Sequence, residues 1–140
     1  MTPSPLVYPM LAMALLIFAI MVGTLVTRIY HLRLGLVRLS YFRLMKSGAE
    51  EVPDVLSRTA RNIANQFEVP MLFFSVSLLS IQLGLADENT VRLAWTFVFF
   101  RALHAMVHLT YNKVPHRLAM FLVAQVSVMA MWVKVALAVL

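Results

Sequence analysis

Residues 11–26 read LAMALLIFAIMVGTLV, a run without a single charged side chain, and it lies inside an apolar block covering about residues 6–28. At 1.5 Å per residue, a helix of ~20 residues crosses the roughly 30 Å hydrocarbon core of a bilayer. Three more such blocks follow, at about residues 69–86, 91–111 and 118–140. The apolar residues fall into bilayer-length blocks instead of alternating or amphipathic stripes. The expected fold is therefore all-α, an integral membrane four-helix bundle forming one domain over residues 1–140. No Lys or Arg precedes the first block and no clear small-residue cleavage site follows it, so it reads as a retained helix and not as a signal peptide.

Composition agrees. With 61% hydrophobic and 13% charged residues, and a mean hydropathy of +0.83, the chain lies far from soluble enzymes and disordered tails. Zero cysteines exclude a disulfide scaffold, a thiolate-held metal and protein thiol chemistry. Twelve Lys and Arg against six Asp and Glu give a net charge of +6. No basic stripe with interleaved aromatics stands outside the apolar blocks, so nucleic acid is not an expected partner.

The basic residues instead report topology. Arg33, Arg38, Arg43, Lys46 and Arg58 lie between the first two blocks, and Lys113 and Arg117 lie in the third connection. The segment before the first block has none, and the second connection opens with Asp87 and Glu88. The positive-inside rule then puts loops one and three in the cytoplasm. The expected location is multi-pass, in the inner membrane of a bacterium given the compact chain. The long first connection, about residues 31–55, is punctuated by Ser47, Gly48 and Pro53. Glu50, Glu51 and Asp54 sit ahead of helix two, where negative charge suits a helix N-terminus. That helix is expected to begin near Asp54 or Ser57 and to run three turns before its apolar section.

Ionisable side chains inside a span cost roughly 2.5–3.5 kcal/mol at the helix centre and are functional candidates for that reason. On helix two, Arg61, Asn65 and Glu68 are spaced i, i+4, i+7 and form one polar stripe, which Arg58 and Asn62 extend toward the cytoplasm. On helix three, Arg101, His104, His108 and Tyr111 fall at 0, 3, 7 and 10, again on one face. Arg117 follows Pro115, a residue suited to a helix's first turn. If the two stripes face each other, Glu68 neutralises Arg101, Asn65 hydrogen-bonds to either, and the remaining cations suit an anionic ligand from the cytoplasmic side. Glu68 and Arg101 read equally as an ion pair that only fixes packing. His104 and His108 have a metal-compatible spacing, but Leu103 and Ala105 flank His104 where the zinc-protease motif needs a Glu, so no metal is expected. Lys134 reads as snorkelling to the interface, His31 and His116 as solvated, and the ten methionines as lipid-facing or core filler.

At these stripes the sequence resembles the membrane-associated proteins in eicosanoid and glutathione metabolism, which include microsomal glutathione transferases, leukotriene C synthase and microsomal prostaglandin E synthase. RNIANQFEVP, residues 61–70, is similar to the family's helix-two pattern through Arg61, Asn65, Glu68 and Pro70. RALHAMVH followed by LTYNKVPHR resembles the prostaglandin synthase branch through Arg101, His104, Pro115 and Arg117. The resemblance implies a homotrimer with glutathione, as co-substrate, held between subunits near the cytoplasmic side. It implies glutathione contacts or their supports at Arg61, Asn65 and Glu68, with Arg117 stabilising the thiolate; Arg101, His104, His108 and Tyr111 complete the candidate binding residues. A basic residue of helix one, Arg28, Arg33 or Arg38, is expected to join them. Two positions depart from the pattern: His108 stands where several relatives place a tyrosine, with Tyr111 one turn later, and Val69 stands where leukotriene C synthase has a tyrosine. A histidine there can donate a hydrogen bond or act as a base, or it marks a branch that does not activate glutathione.

Two functions follow from this reading. One is a membrane-embedded glutathione-binding protein that conjugates glutathione to hydrophobic electrophiles or reduces lipid peroxides, with further copies of itself, membrane lipids and a hydrophobic small molecule as partners. The other is a non-catalytic protein of the same fold that binds a lipid or a partner through its polar stripes.

Overall fold

The computed structural model describes residues 3–39 and 53–140. Arg43, Lys46, Ser47, Gly48, Glu50 and Glu51, read above as parts of the first loop, lie outside the described residues. Among the described residues four long helices follow one another without a strand: α1 (Val7–Arg33), α2 (Asp54–Gln82), α3 (Glu88–Leu109) and α4 (Val114–Val139). Each apolar block anticipated one of them. Helix α2 begins at Asp54, as the acidic residue ahead of the apolar section suggested, and stays helical through Pro70.

The helix ends follow from local chemistry. Helices α1 and α2 both stop at glycines in the left-handed region, Gly35 at φ 67° and Gly84 at φ 69°, a conformation that costs a residue with a Cβ about 1–2 kcal/mol. Beyond each glycine the chain turns back: Leu36 N–H donates to His31 O at 3.1 Å and Leu85 N–H to Ser80 O at 2.8 Å, capping the last carbonyls. Helix α3 starts on Asp87, whose carboxylate accepts from Thr90 N–H at 2.9 Å. Pro115 falls in the first turn of α4, where its missing N–H removes no intrahelical bond.

Helices α3 and α4 form the most extensive pair, with α1 packed against α2 and α3, and α2 touching both members of the pair. The core between them is apolar: Met13 of α1, Phe73 and Val76 of α2, Phe97 of α3 and Met131 of α4 are all fully enclosed. Phe73 and Phe97 stack at 4.5 Å and 17° and lock α2 to α3. The outer surface is apolar too, with Leu15, Phe18, Val22, Leu122, Val126 and Val133 exposed. In α1 only 17% of the most apolar window is buried inside the subunit, so most of that face meets lipid or another chain.

The four-helix membrane bundle read from the sequence is present, and its helices are not equally apolar. Helices α1, α2 and α4 are long and apolar enough to cross a membrane by themselves. Helix α3 has the length, at 22 residues, but Arg92, Arg101, His104 and His108 reduce its hydropathy. Three of those four side chains are buried within the bundle, so the other helices shield them.

Candidate functional site

The inward face of α3 carries the costliest group in the molecule. Arg101 is fully buried, and its Nη2 donates to the backbone oxygen of Asn65 at 2.5 Å and to Oε1 of Gln66 at 3.0 Å. Gln66 in turn donates from Nε2 to Oδ1 of Asn62 at 3.4 Å, a weaker contact. Arg101 Nε and Nη1 and Asn62 Nδ2 have no partner among the described residues. One turn on, His104 is buried with its ring 6.0 Å from that of His108, edge to face, and among the described residues no third metal-ligating side chain joins them.

This geometry revises the sequence picture of two stripes facing each other. The surface α2 turns toward α3 is Thr59, Asn62, Gln66 and Val69, all buried. Arg61 and Glu68 are exposed and Asn65 is half-buried, so the Arg61, Asn65, Glu68 stripe is presented outward from the subunit. The physical reason is helical phase: Asn62 and Gln66 lie about 100° around the helix from Arg61 and Asn65, and the larger apolar surface, Val69 and Phe73, lies on their side. No ion pair joins Glu68 to Arg101 among the described residues. The partners of Arg101 are thus a backbone carbonyl and the side chain of Gln66, a residue sequence reasoning passed over because an uncharged amide in a polar segment carries no distinctive signal.

Tyr111 is a second correction. Helix α3 ends at Leu109, Thr110 leaves the helix at φ −95°, ψ −106°, and Asn112 takes a left-handed φ of 49°, so Tyr111 does not continue the Arg101, His104, His108 face. It is exposed, and its hydroxyl lies 3.1 Å from Nδ1 of His116. The turn delivers Arg117 to the start of α4, half-buried, with Nη1 donating to Oδ1 of Asn112 at 3.0 Å. The backbone oxygen of Arg117 accepts from Nδ1 of His104 at 3.0 Å. A carbonyl can only accept, so this contact fixes the proton on Nδ1 and leaves Nε2 as the ring's acceptor.

Positive charge collects at this end of the bundle. Arg117 stands in the first turn of α4 and Arg58 reaches the end of α3, while His108 between them is buried, with Nδ1 unpartnered among the described residues. Arg58 is tied locally, to Asp54 through an ion pair and to the Thr110 carbonyl at 3.2 Å. Beside this end lies an open groove of about 390 Å³ lined by Ala19, Gly23 and Thr24 of α1, Val55 and Thr59 of α2, and Leu109 of α3. Its threonine hydroxyls bond back to their own helices, so what it offers is an apolar wall. At the opposite end Lys134 does not simply snorkel: its Nζ reaches Asp87 Oδ1 at 2.5 Å and Thr90 Oγ1 at 2.7 Å, joining α4 to the cap of α3.

No curated protein and no solved structure matches the chain. The sequence model of the MAPEG family, in contrast, matches residues 6–137. Four long helices, three of them apolar enough to cross a membrane, and a family match over nearly the whole chain lead to one conclusion: this chain belongs to the MAPEG family, and is an integral membrane protein of the glutathione and eicosanoid metabolism group.

Proposed function

We propose that this protein binds glutathione at its cytoplasmic end, between subunits of a homotrimer in a bacterial inner membrane, and transfers the thiol to a hydrophobic electrophile or uses it to reduce a lipid peroxide. The observation that carries this reading is the outward position of Arg61, Asn65 and Glu68 on the part of α2 whose Arg58 reaches the turn that leads to Arg117. Charged side chains on the outside of a membrane subunit require a polar counterpart, and a neighbouring chain with an anionic peptide between the two supplies it.

The roles follow from the chemistry. Arg61 and Asn65 orient the carboxylates and amides of glutathione, and Glu68 meets its ammonium. Arg117 faces the sulfur, where a cation favours thiolate over thiol. In conjugation the thiolate sulfur forms a bond to the electrophilic carbon as a leaving group departs from that carbon with its electron pair, or as the pair of an activated double bond moves away and takes a proton from water. In peroxide reduction the sulfur takes the terminal oxygen as the O–O bond breaks to release the alcohol, and a second glutathione thiol then gives the disulfide and water. The apolar co-substrate reaches it from the bilayer, along clefts such as the one beside α1. Holding both reactants in register lowers the entropic barrier, and the fixed cation stabilises the charge on sulfur. His108, buried one turn beyond His104 at the same end of α3, is the second candidate to meet the thiol.

The test is calorimetric titration of the detergent-purified protein with reduced glutathione, beside Arg61→Ala and Arg117→Ala variants of confirmed oligomeric state. Saturable binding that Arg61→Ala weakens by about tenfold or more, the size of one lost charge-assisted contact, is expected. Arg117→Ala should lower turnover of an electrophile by about 10²-fold while sparing assembly. A well-folded preparation that takes up no glutathione at millimolar concentration would favour the non-catalytic alternative, in which the stripe binds a lipid head group or partner.

A further inference from the structure

Arg117 is held at both ends. On the backbone side its carbonyl accepts from Nδ1 of buried His104, and on the side-chain side its Nη1 donates to Oδ1 of Asn112, each at 3.0 Å. Asn112 is itself pinned: its N–H donates to Val107 O at 2.8 Å, closing the end of α3. Its φ of 49° lies in the left-handed region, where asparagine is several-fold enriched among residues with a side chain. The amide is therefore a fixed part of the turn and not a mobile surface group. An arginine side chain carries about 2 kcal/mol of rotamer entropy, so a fixed acceptor on one Nη selects one orientation and leaves the other donors pointed for use. An amide oxygen does this without cancelling the positive charge, which a carboxylate in its place would do.

We propose that Asn112 is a positioning residue that aims the Arg117 guanidinium at the sulfur of bound glutathione, a role that rests on the reading of Arg117 as the thiolate-stabilising cation. His104 completes the arrangement by fixing the first turn of α4 from which Arg117 projects.

Three variants of the full chain test this. Asn112→Gly keeps the left-handed backbone and removes only the clamp; Asn112→Asp keeps the acceptor and adds a charge; Arg117→Ala, alone and combined with Asn112→Gly, closes a double-mutant cycle. Two readouts are taken: the Nε–H nuclear magnetic resonance signal of Arg117 without ligand, assigned by its loss in Arg117→Ala, and the ultraviolet thiolate band of bound glutathione followed against pH. Asn112→Gly is expected to shift and sharpen the Arg117 signal and to lower the thiolate fraction at neutral pH about three- to tenfold, less than the full effect of a charge-assisted hydrogen bond because it is transmitted through the orientation of Arg117. Glutathione affinity should stay within about twofold, since the peptide's own contacts are untouched, and in the Arg117→Ala background Asn112→Gly should add nothing. Asn112→Asp should keep the Arg117 signal in place yet still lower the thiolate fraction, which a merely structural role would not do. An unmoved Arg117 signal in Asn112→Gly, or an equal thiolate loss with and without Arg117, overturns the proposal. If Arg117→Ala leaves the thiolate intact, the reading of Arg117 fails and takes the catalytic role of Asn112 with it, while the signal shift still reports whether the clamp exists.

Discussion

Asn65 and Gln66 are adjacent in sequence and opposite in role. Arg101 takes the backbone oxygen of Asn65 and the side-chain oxygen of Gln66, so truncating the two side chains should have different consequences. Asn65→Ala leaves the Arg101 contact in place and is expected to leave thermal stability in detergent unchanged while weakening glutathione binding. Gln66→Leu removes the one side chain that, among the described residues, partners the fully buried guanidinium and should destabilise by about 1–3 kcal/mol, the penalty for leaving a buried donor unsatisfied. Circular dichroism melts of the two variants check this; a larger loss in Asn65→Ala would mean that its amide, and not its carbonyl, supports Arg101. The identity of the buried cation was legible in the sequence, because an arginine inside an apolar block demands a partner. The identity of its partner was not, since backbone carbonyls and neutral amides leave no mark on a charge pattern.

Between elements, the cap of α3 is also where α4 is tied down. The Asp87 carboxylate is held well below the usual carboxylate range, chiefly by Lys134 and then by the N–H and hydroxyl of Thr90. A depressed folded-state value stabilises above the unfolded value of about 4, and that contribution disappears as pH falls through the folded value. The thermal midpoint of the protein should therefore fall as pH drops below about 4, and fall less steeply in Asp87→Asn, which keeps an N-cap oxygen but cannot ionise. Equal slopes would show that the acid sensitivity arises elsewhere. The sequence placed Lys134 at the interface by its position near the chain's end. That Asp87, 47 residues earlier, would meet it depends on α3 and α4 packing side by side with the cap of one beside the last turns of the other. Tyr111 is the reverse case: its spacing fitted the α3 stripe, and the turn closed by Asn112 removed it.

At the scale of the molecule, the polar stripe on α2 and the apolar outer faces of α1 and α4 require neighbours. The trimer proposed above should sediment in mild detergent as three copies, and Arg61→Ala with Glu68→Ala should reduce that assembly if the stripe also binds subunits together. A stable monomer that still binds glutathione would remove the between-subunit site. Zero native cysteines make the orientation equally accessible to test. Lys113→Cys should react with impermeant reagents only from the cytoplasmic side and Asn89→Cys only from the other, and the opposite pattern would invert the topology.

Helix number, the start of α2 near Asp54, membrane embedding and the family pattern were all readable from the chain, because block length and hydropathy are local properties; the stops at Gly35 and Gly84 came from the structure. What the tertiary structure alone decided is direction: which side of α2 is buried, which atoms satisfy Arg101, and that Asn112 and His104 grip Arg117 from two sides. A stripe at helical spacing defines a face but not its facing. The facing is set by the competition between polar and apolar surface when four helices pack, and on α2 the phenylalanine side prevailed, leaving the charged stripe outward where a ligand or a second subunit can reach it.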